Sequence, residues 1–190
     1  MSDVSQRYTF DSEPLLAFFL NENGADEVEN LLRQVQSGEA EGYISIINLT
    51  EISYILSRVN VELAEETERN LRLLGLNIVP VEDNGLWRQA GNVKAKHSLS
   101  LADAFAVATA EATKSKLVVG SDKEFRELKI QIRRIRQSSR LIFLNQIKKN
   151  SIKQCGAGEA DVFRVGRRLH GRIEEKGTDQ LLNGYEEVKP

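Results

Sequence analysis

The sequence predicts an α/β fold, a three-layer α/β/α sandwich with a central parallel sheet, followed by a C-terminal helical extension. Two observations carry this expectation. Short segments rich in β-branched and aromatic residues alternate with longer segments of helical periodicity up to about residue 138. The intervening helical segments are also long enough for the right-handed crossovers that join parallel strands. From about Arg140 the alternation stops, so the chain divides into an α/β domain over 1–138 and a basic, helical extension with a polar tail over 139–190.

Taken in order, Tyr8-Thr9-Phe10 reads as a short strand ended by Asp11-Ser12-Glu13-Pro14. Ser12 is a candidate N-cap, with Pro14 in the first turn, where a missing N–H costs nothing. A helix runs through Leu15–Leu20. A second spans about Asp26 to Gln36 with Val28, Leu31, Leu32 and Val35 on one face, its end punctuated by Gly38 and Gly42. Tyr43–Ile47 is the second expected strand, and Asn48 is the expected cap of a helix carrying Ile52, Ile55, Leu56 and Val59. Another helix spans about Val61 to Leu74 and ends at Gly75. Asn77–Val81 is the third strand. Helices are expected from Asp83 to Lys96 and from Ser100 to about Thr113. The apolar Lys116–Gly120 is the fourth strand, with a short helix after Ser121, and Ile130, Ile132 and Ile135 suggest a fifth.

Composition bounds the function classes. Hydrophobic residues make up 41% of the 190 positions, enough for a core of ordinary size, and no apolar stretch is long enough to cross a bilayer. A lone cysteine, Cys155, cannot form an internal disulfide, and the polar N-terminus carries no secretory apolar segment, so a cytoplasmic protein is expected. The net charge of −2 conceals an uneven distribution. Residues 1–125 hold 11 Lys+Arg against 20 Asp+Glu, net −9, whereas residues 126–176 hold 14 against 5, net +9. The basic third could attract a polyanion, or could be a solvated helix face.

Four acids stand out. Asp11, Glu51 and Asp122 lie at or just after the ends of expected strands, where open parallel sheets gather their functional groups. Asp103 lies one turn into the helix before the fourth strand. Four converging carboxylates repel one another unless a divalent cation sits among them, and an oxygen-only donor set suits Mg²⁺ or Mn²⁺. The usual chemistry of such a site is phosphodiester hydrolysis. A purely structural explanation also exists, because the segments beginning at Asn48, Ser100 and Ser121 all resemble capping boxes with an acid in the first turn. Asp11 resists that explanation, because an acid ending a buried central strand is costly unless paired. Asp103, entering the apolar run Leu99–Ala112, has a similar need of a partner.

These segments resemble the PIN-domain family, in particular its VapC-like toxin branch. Tyr8-Thr9-Phe10-Asp11-Ser12 is similar to the family's strand ending in Asp and a small hydroxyl residue, and Asn48-Leu49-Thr50-Glu51-Ile52 to its second acidic segment. Ser98–Ala104 and Leu117–Phe125, whose acids Asp103 and Asp122 are nineteen residues apart, are the most specific matches. The resemblance covers about residues 6–137. It implies a metal-dependent endoribonuclease using Mg²⁺ or Mn²⁺, with Asp11, Glu51, Asp103 and Asp122 as metal ligands or water-positioning groups. Ser12 and Ser121 would be supporting hydroxyls, and Glu124 an auxiliary acid or a helix cap. An RNA substrate, a cognate antitoxin and a homodimer follow from the same resemblance. The chain departs from it by continuing some fifty residues past the fifth strand. A non-catalytic PIN-like module that binds RNA or protein is the competing class.

Other residues carry weaker signals. Arg126, Arg133, Arg134 and Arg136 form a basic cluster past Asp122 that could hold RNA phosphates, or could be the charged face of an edge strand. His97, His170 and Cys155 have no zinc-ligand spacing. Trp87, on an amphipathic segment, is expected in the core.

Overall fold

The computed structural model of this chain describes residues 6–58, 60–82, 85–121 and 123–135. Asp122, Arg136, the expected extension 139–190, and with it Cys155 and His170, lie outside the described residues. Five strands, β1 (Gln6–Phe10), β2 (Ala40–Ser45), β3 (Leu76–Val79), β4 (Lys116–Val119) and β5 (Ile132–Arg134), form one sheet in the order β3-β2-β1-β4-β5. Every pairing is parallel.

The helices follow from the connections. α1 (Ser12–Phe19) and α2 (Ala25–Gln36) link β1 to β2, and α3 (Ile46–Ser57) and α4 (Val61–Leu73) link β2 to β3. α5 (Leu86–Lys96) and α6 (Leu101–Thr113) then carry the chain back across the sheet to β4. Right-handed crossovers put α1–α4 on one face and α5–α6 on the other, because the direction of travel reverses after β3. The core divides accordingly. Phe10, Ile44 and Val118 pack with Leu15, Leu31 and Ile52 in one cluster. Leu117 and Val119 pack with Val107, Ala110 and Phe125 in another. Adjacent β4 residues thus point into opposite layers, as strand geometry requires. The three-layer α/β/α sandwich expected from the sequence is the observed fold.

Several element boundaries differ from expectation. Ser12 is not the N-cap of α1: β1 runs directly into the helix, and Asp11 occupies the cap position in extended conformation without a side-chain capping bond. Asn48 does not cap α3, which begins two residues earlier. The Ser45 hydroxyl accepts the Ile47 N–H at 3.0 Å, so β2 stops at Ser45 and Asn48 lies inside the helix. Gly42 does not end α2 but sits within β2. A Cβ there would lie 2.9 Å from both Cγ atoms of Val35, so the missing side chain lets α2 pack close to the sheet. α5 starts at Leu86 rather than Asp83, which lies outside the described residues, and the segment after Ser121 is a 3-10 turn, Lys123–Glu127.

Trp87 is not core. It is 47% exposed, with the Arg88 guanidinium 4.6 Å above its ring. α5 buries only Leu86 and Ala90, against Phe105 and Ala108 of α6, and Trp87, next to Leu86, falls outside that contact. No helix among the described residues is long and apolar enough to cross a membrane.

Candidate metal and active site

The sheet order reverses at β1, because the chain builds β2 and β3 on one side of it and β4 and β5 on the other. Such a switch point opens a crevice beyond the carboxyl ends of the strands. Asp11 lies there: its backbone N–H donates to the Val118 carbonyl at 3.0 Å, prolonging the β1–β4 ladder by one residue. That last rung leaves the side chain only 2% exposed.

A carboxylate so buried is electrostatically unstable by itself. Burial pushes the Asp11 pKa well above the usual carboxylate range, and the charge of Asp103 raises it further. The Ser12 backbone N–H lowers it in part, while Glu51 and Glu13 add smaller increases. The fold therefore brings three of the four sequence-predicted acids into electrostatic range of one another, together with Glu13. The fourth, Asp122, lies outside the described residues.

Each acid reaches this place differently. Asp103 sits at the start of α6 in a reciprocal capping box: the Ser100 N–H donates to Asp103 Oδ2 at 2.9 Å, and the Asp103 N–H to Ser100 Oγ at 3.0 Å. The structural explanation of Asp103 is therefore correct as far as it goes. It accounts for one carboxylate oxygen, Oδ2, and does not account for the charge that Asp103 sets near Asp11. Glu51, half-buried on α3, gets no capping box, because Asn48 is not the cap. Glu13, half-buried in the first turn of α1, has the Ser121 hydroxyl 3.5 Å from its Oε1.

Two residues overlooked in the sequence join the site. Glu13 was hidden in the turn-like Asp-Ser-Glu-Pro run. Asn48, 0% exposed, donates from Nδ2 to Asp11 Oδ1 at 3.0 Å and to Ser12 Oγ at 3.3 Å. The Ser12 hydroxyl in turn donates to the Asn48 carbonyl at 3.2 Å. Asn48 Oδ1 is buried without a hydrogen-bond partner among the described residues. An unmet buried acceptor costs about 1–3 kcal/mol, which packing alone gives no reason to retain. Its signal was the polar residue in the apolar run Ile46-Ile47-Asn48-Leu49, with Ser45 the better-placed cap.

Of the expected basic contacts, Arg126 is exposed on the 3-10 turn. Arg133, on β5, is paired with Glu27 of α2 at 3.2 Å, so its guanidinium already has a carboxylate partner. Arg134 and Glu124 are also exposed.

Among the described residues, no three His, Cys, Asp or Glu side chains stand close enough to hold one ion. The fit of a divalent cation rests instead on charge and donor chemistry. Asp11 is buried beside other acids, its two described hydrogen-bond donors are uncharged, and its surroundings supply hard oxygen atoms. A cation in the crevice would relieve the repulsion that now raises its proton affinity.

The model of the PIN domain family matches residues 8–131, which is most of the chain. The chain belongs to the PIN-domain family. The match runs from within β1 to the residue before β5, so this PIN domain contains all the acids above. Among solved structures, its fold is similar to a chain in VapBC2 from Rickettsia felis bound to a DNA fragment from their promoter. The TM-score is 0.57 at 16% identity, covering 69% of this chain and 100% of that one. Weaker similarity is found to a toxin–antitoxin complex from Klebsiella pneumoniae (TM-score 0.49, 20% identity, 64% and 92% covered). DNA-bound VapBC from Salmonella typhimurium is comparable (TM-score 0.47, 18% identity, 68% and 98% covered). No curated protein matches the sequence.

Glu22 carries a testable consequence of this acidity. It is half-buried in the turn after α1, and burial, then the charge of Glu13, raise its pKa from 4.5 to about 7. The folded chain thus holds this proton more tightly than the unfolded chain does. The resulting contribution to stability is present below pH 4.5 and lost as pH rises through about 7. In EDTA, Glu22→Gln is expected to flatten the decline in melting temperature between pH 5 and 8 relative to wild type; an unchanged slope would contradict the assignment.

Proposed function

We propose that this PIN domain is a divalent-metal-dependent endoribonuclease, using Mg²⁺ or Mn²⁺, and the toxin of a VapBC-type pair. The observation that carries the reading is Asp11: a fully buried carboxylate at the switch point of a parallel sheet, its proton affinity raised by burial and by Asp103, Glu51 and Glu13. When bound, a divalent cation supplies Lewis acidity toward a phosphodiester and activates water for attack. Asp11, Glu51, Asp103 and Asp122 would hold it.

The protein's own contribution is positional. The ladder bond from Asp11 to Val118 fixes one carboxylate on the sheet, and the Ser100 box fixes another at the start of α6. Ser12 and Ser121 stand beside these acids as supporting hydroxyls, and Glu124 is the auxiliary acid. Arg126 and Arg134, both exposed, are the described cations proposed to meet RNA phosphates, and Arg136, outside the described residues, is proposed to join them. Arg133 would have to exchange Glu27 for phosphate.

An antitoxin partner, a homodimer and a cytoplasmic location belong to the same reading. The partner is supported by the fold shared with a chain of the Rickettsia felis VapBC2 structure, the dimer by the family resemblance alone, and the location by the solitary Cys155. The test is cleavage of a broad RNA panel by the full chain. Activity is expected with added Mn²⁺ or Mg²⁺ and none with EDTA. Failure to cut any RNA with either metal would favour a non-catalytic binding module.

A further inference from the structure

We infer that Asn48 is a positioning residue, which holds one oxygen of Asp11 so that the other faces the cation. The inference rests on reading the crevice as a metal-dependent nuclease site. Its basis is the direction of the Asn48 amide. Both Nδ2 hydrogens have acceptors, Asp11 Oδ1 at 3.0 Å and Ser12 Oγ at 3.3 Å, while the amide oxygen has none among the described residues. The reversed amide would set its oxygen against a carboxylate oxygen, so the observed orientation is dictated by Asp11 and not by the core around it.

The chemistry of the donor matters as much as its place. A lysine or arginine at this point would orient Asp11 but also neutralise it, weakening its attraction for a cation. An amide orients the carboxylate and leaves its charge intact. Outer partners of this kind fix the geometry of metal-binding groups, and their loss typically lowers metal affinity or activity 10–100-fold.

The contact also joins two elements. The Ser12 hydroxyl returns a bond to the Asn48 carbonyl at 3.2 Å, so the first turn of α1 and the first turn of α3 are tied in both directions. Glu51 lies one turn further along α3. Asn48 therefore sets the spacing between Asp11 and Glu51 as well as the orientation of Asp11.

The experiment compares wild type with Asn48→Leu, which has the branching and heavy-atom count of asparagine but is bulkier and has no donor. Mn²⁺ affinity is measured by calorimetry, folding by circular dichroism, and RNA cleavage by steady-state kinetics. Mn²⁺ binding is expected to weaken by about 10-fold or more and kcat to fall by roughly 10–100-fold. KM for RNA should change far less than kcat, because Asn48 is fully buried. If Asn48→Leu does not fold, Asn48→Ala, which adds no bulk, carries the same test. Asn48→Ser, with a shorter donor, should recover part of both losses. A folded donor-free variant with wild-type Mn²⁺ affinity and kcat overturns the role of Asn48 alone. A wild-type chain that neither binds Mn²⁺ nor cuts RNA overturns the nuclease reading itself.

Discussion

Replacing Asp11 by asparagine is expected to remove metal-dependent RNA cleavage while raising the thermal stability of the metal-free protein. The two effects share one cause. Asp11 is held in a place where its charge is unfavourable without a cation, because burial and the neighbouring Asp103 both oppose ionisation. Asparagine keeps an oxygen that accepts from Asn48 Nδ2 and fits the same space, so the packing at the end of β1 survives. What disappears is the buried charge. Cleavage should fall by more than about 100-fold, since even outer partners of metal-binding groups cost 10–100-fold. Stability in EDTA near pH 8 should rise by on the order of 1 kcal/mol, or ~2–4 °C in melting temperature for a chain of this size.

The pH dependence separates this account from a trivial one. Asp11 has a folded-state pKa above its unfolded value, so its contribution to metal-free stability is greatest below the unfolded pKa. That contribution is lost as pH rises through the folded value. The amide that replaces it in the variant does not titrate. The gain from Asp11→Asn should therefore be large at alkaline pH and shrink on acidification. Saturating Mn²⁺ should reverse the order of the two melting temperatures. An Asp11→Asn protein that cuts RNA at the wild-type rate would remove Asp11 from the site.

Much of the scaffold was legible because it rests on local patterns. Lys116–Val119 is a short apolar run closed by Gly120, and α2 carries Val28, Leu31, Leu32 and Val35 at helical spacing on its buried face. Asp11 was legible for a related reason, since an acid closing a buried strand contradicts its surroundings. The errors arose where a residue's role depends on a partner distant in sequence. Asn48 resembles a helix cap, and only Asp11, thirty-seven residues earlier, shows that its amide faces inward. Arg133 resembles a free cation until Glu27, one hundred and six positions away, is placed opposite it. Trp87 has core-like periodicity, yet α5 meets α6 through Leu86 and Ala90, and periodicity alone cannot reveal which residues of the helix the partner covers.

Asp103 is where the structural and chemical explanations can be pulled apart, because the cap uses one oxygen of its carboxylate while the charge of the group acts on Asp11. Oδ2 accepts the Ser100 N–H, and the Ser100 hydroxyl accepts the Asp103 N–H in return. Replacement of Asp103 by asparagine retains an acceptor for the Ser100 N–H, so the start of α6 should lose only part of the about 1 kcal/mol that such a cap contributes. Cleavage should nonetheless fall about as far as in Asp11→Asn, because the charge that faces Asp11 is gone. Ser100→Ala is the converse. It removes the hydroxyl half of the box at a cost of about 1 kcal/mol, or ~2–4 °C, while the carboxylate remains. Its cleavage should drop only modestly, through looser positioning of the acid. If Asp103 were a cap and nothing more, the difference in cleavage would vanish: Asp103→Asn would cut RNA like the wild type, and any effect of either variant would be on stability alone. Melting curves in EDTA and single-turnover cleavage in Mn²⁺, run on the two variants together, distinguish the alternatives, because a cap changes the first measurement and a metal-binding acid the second.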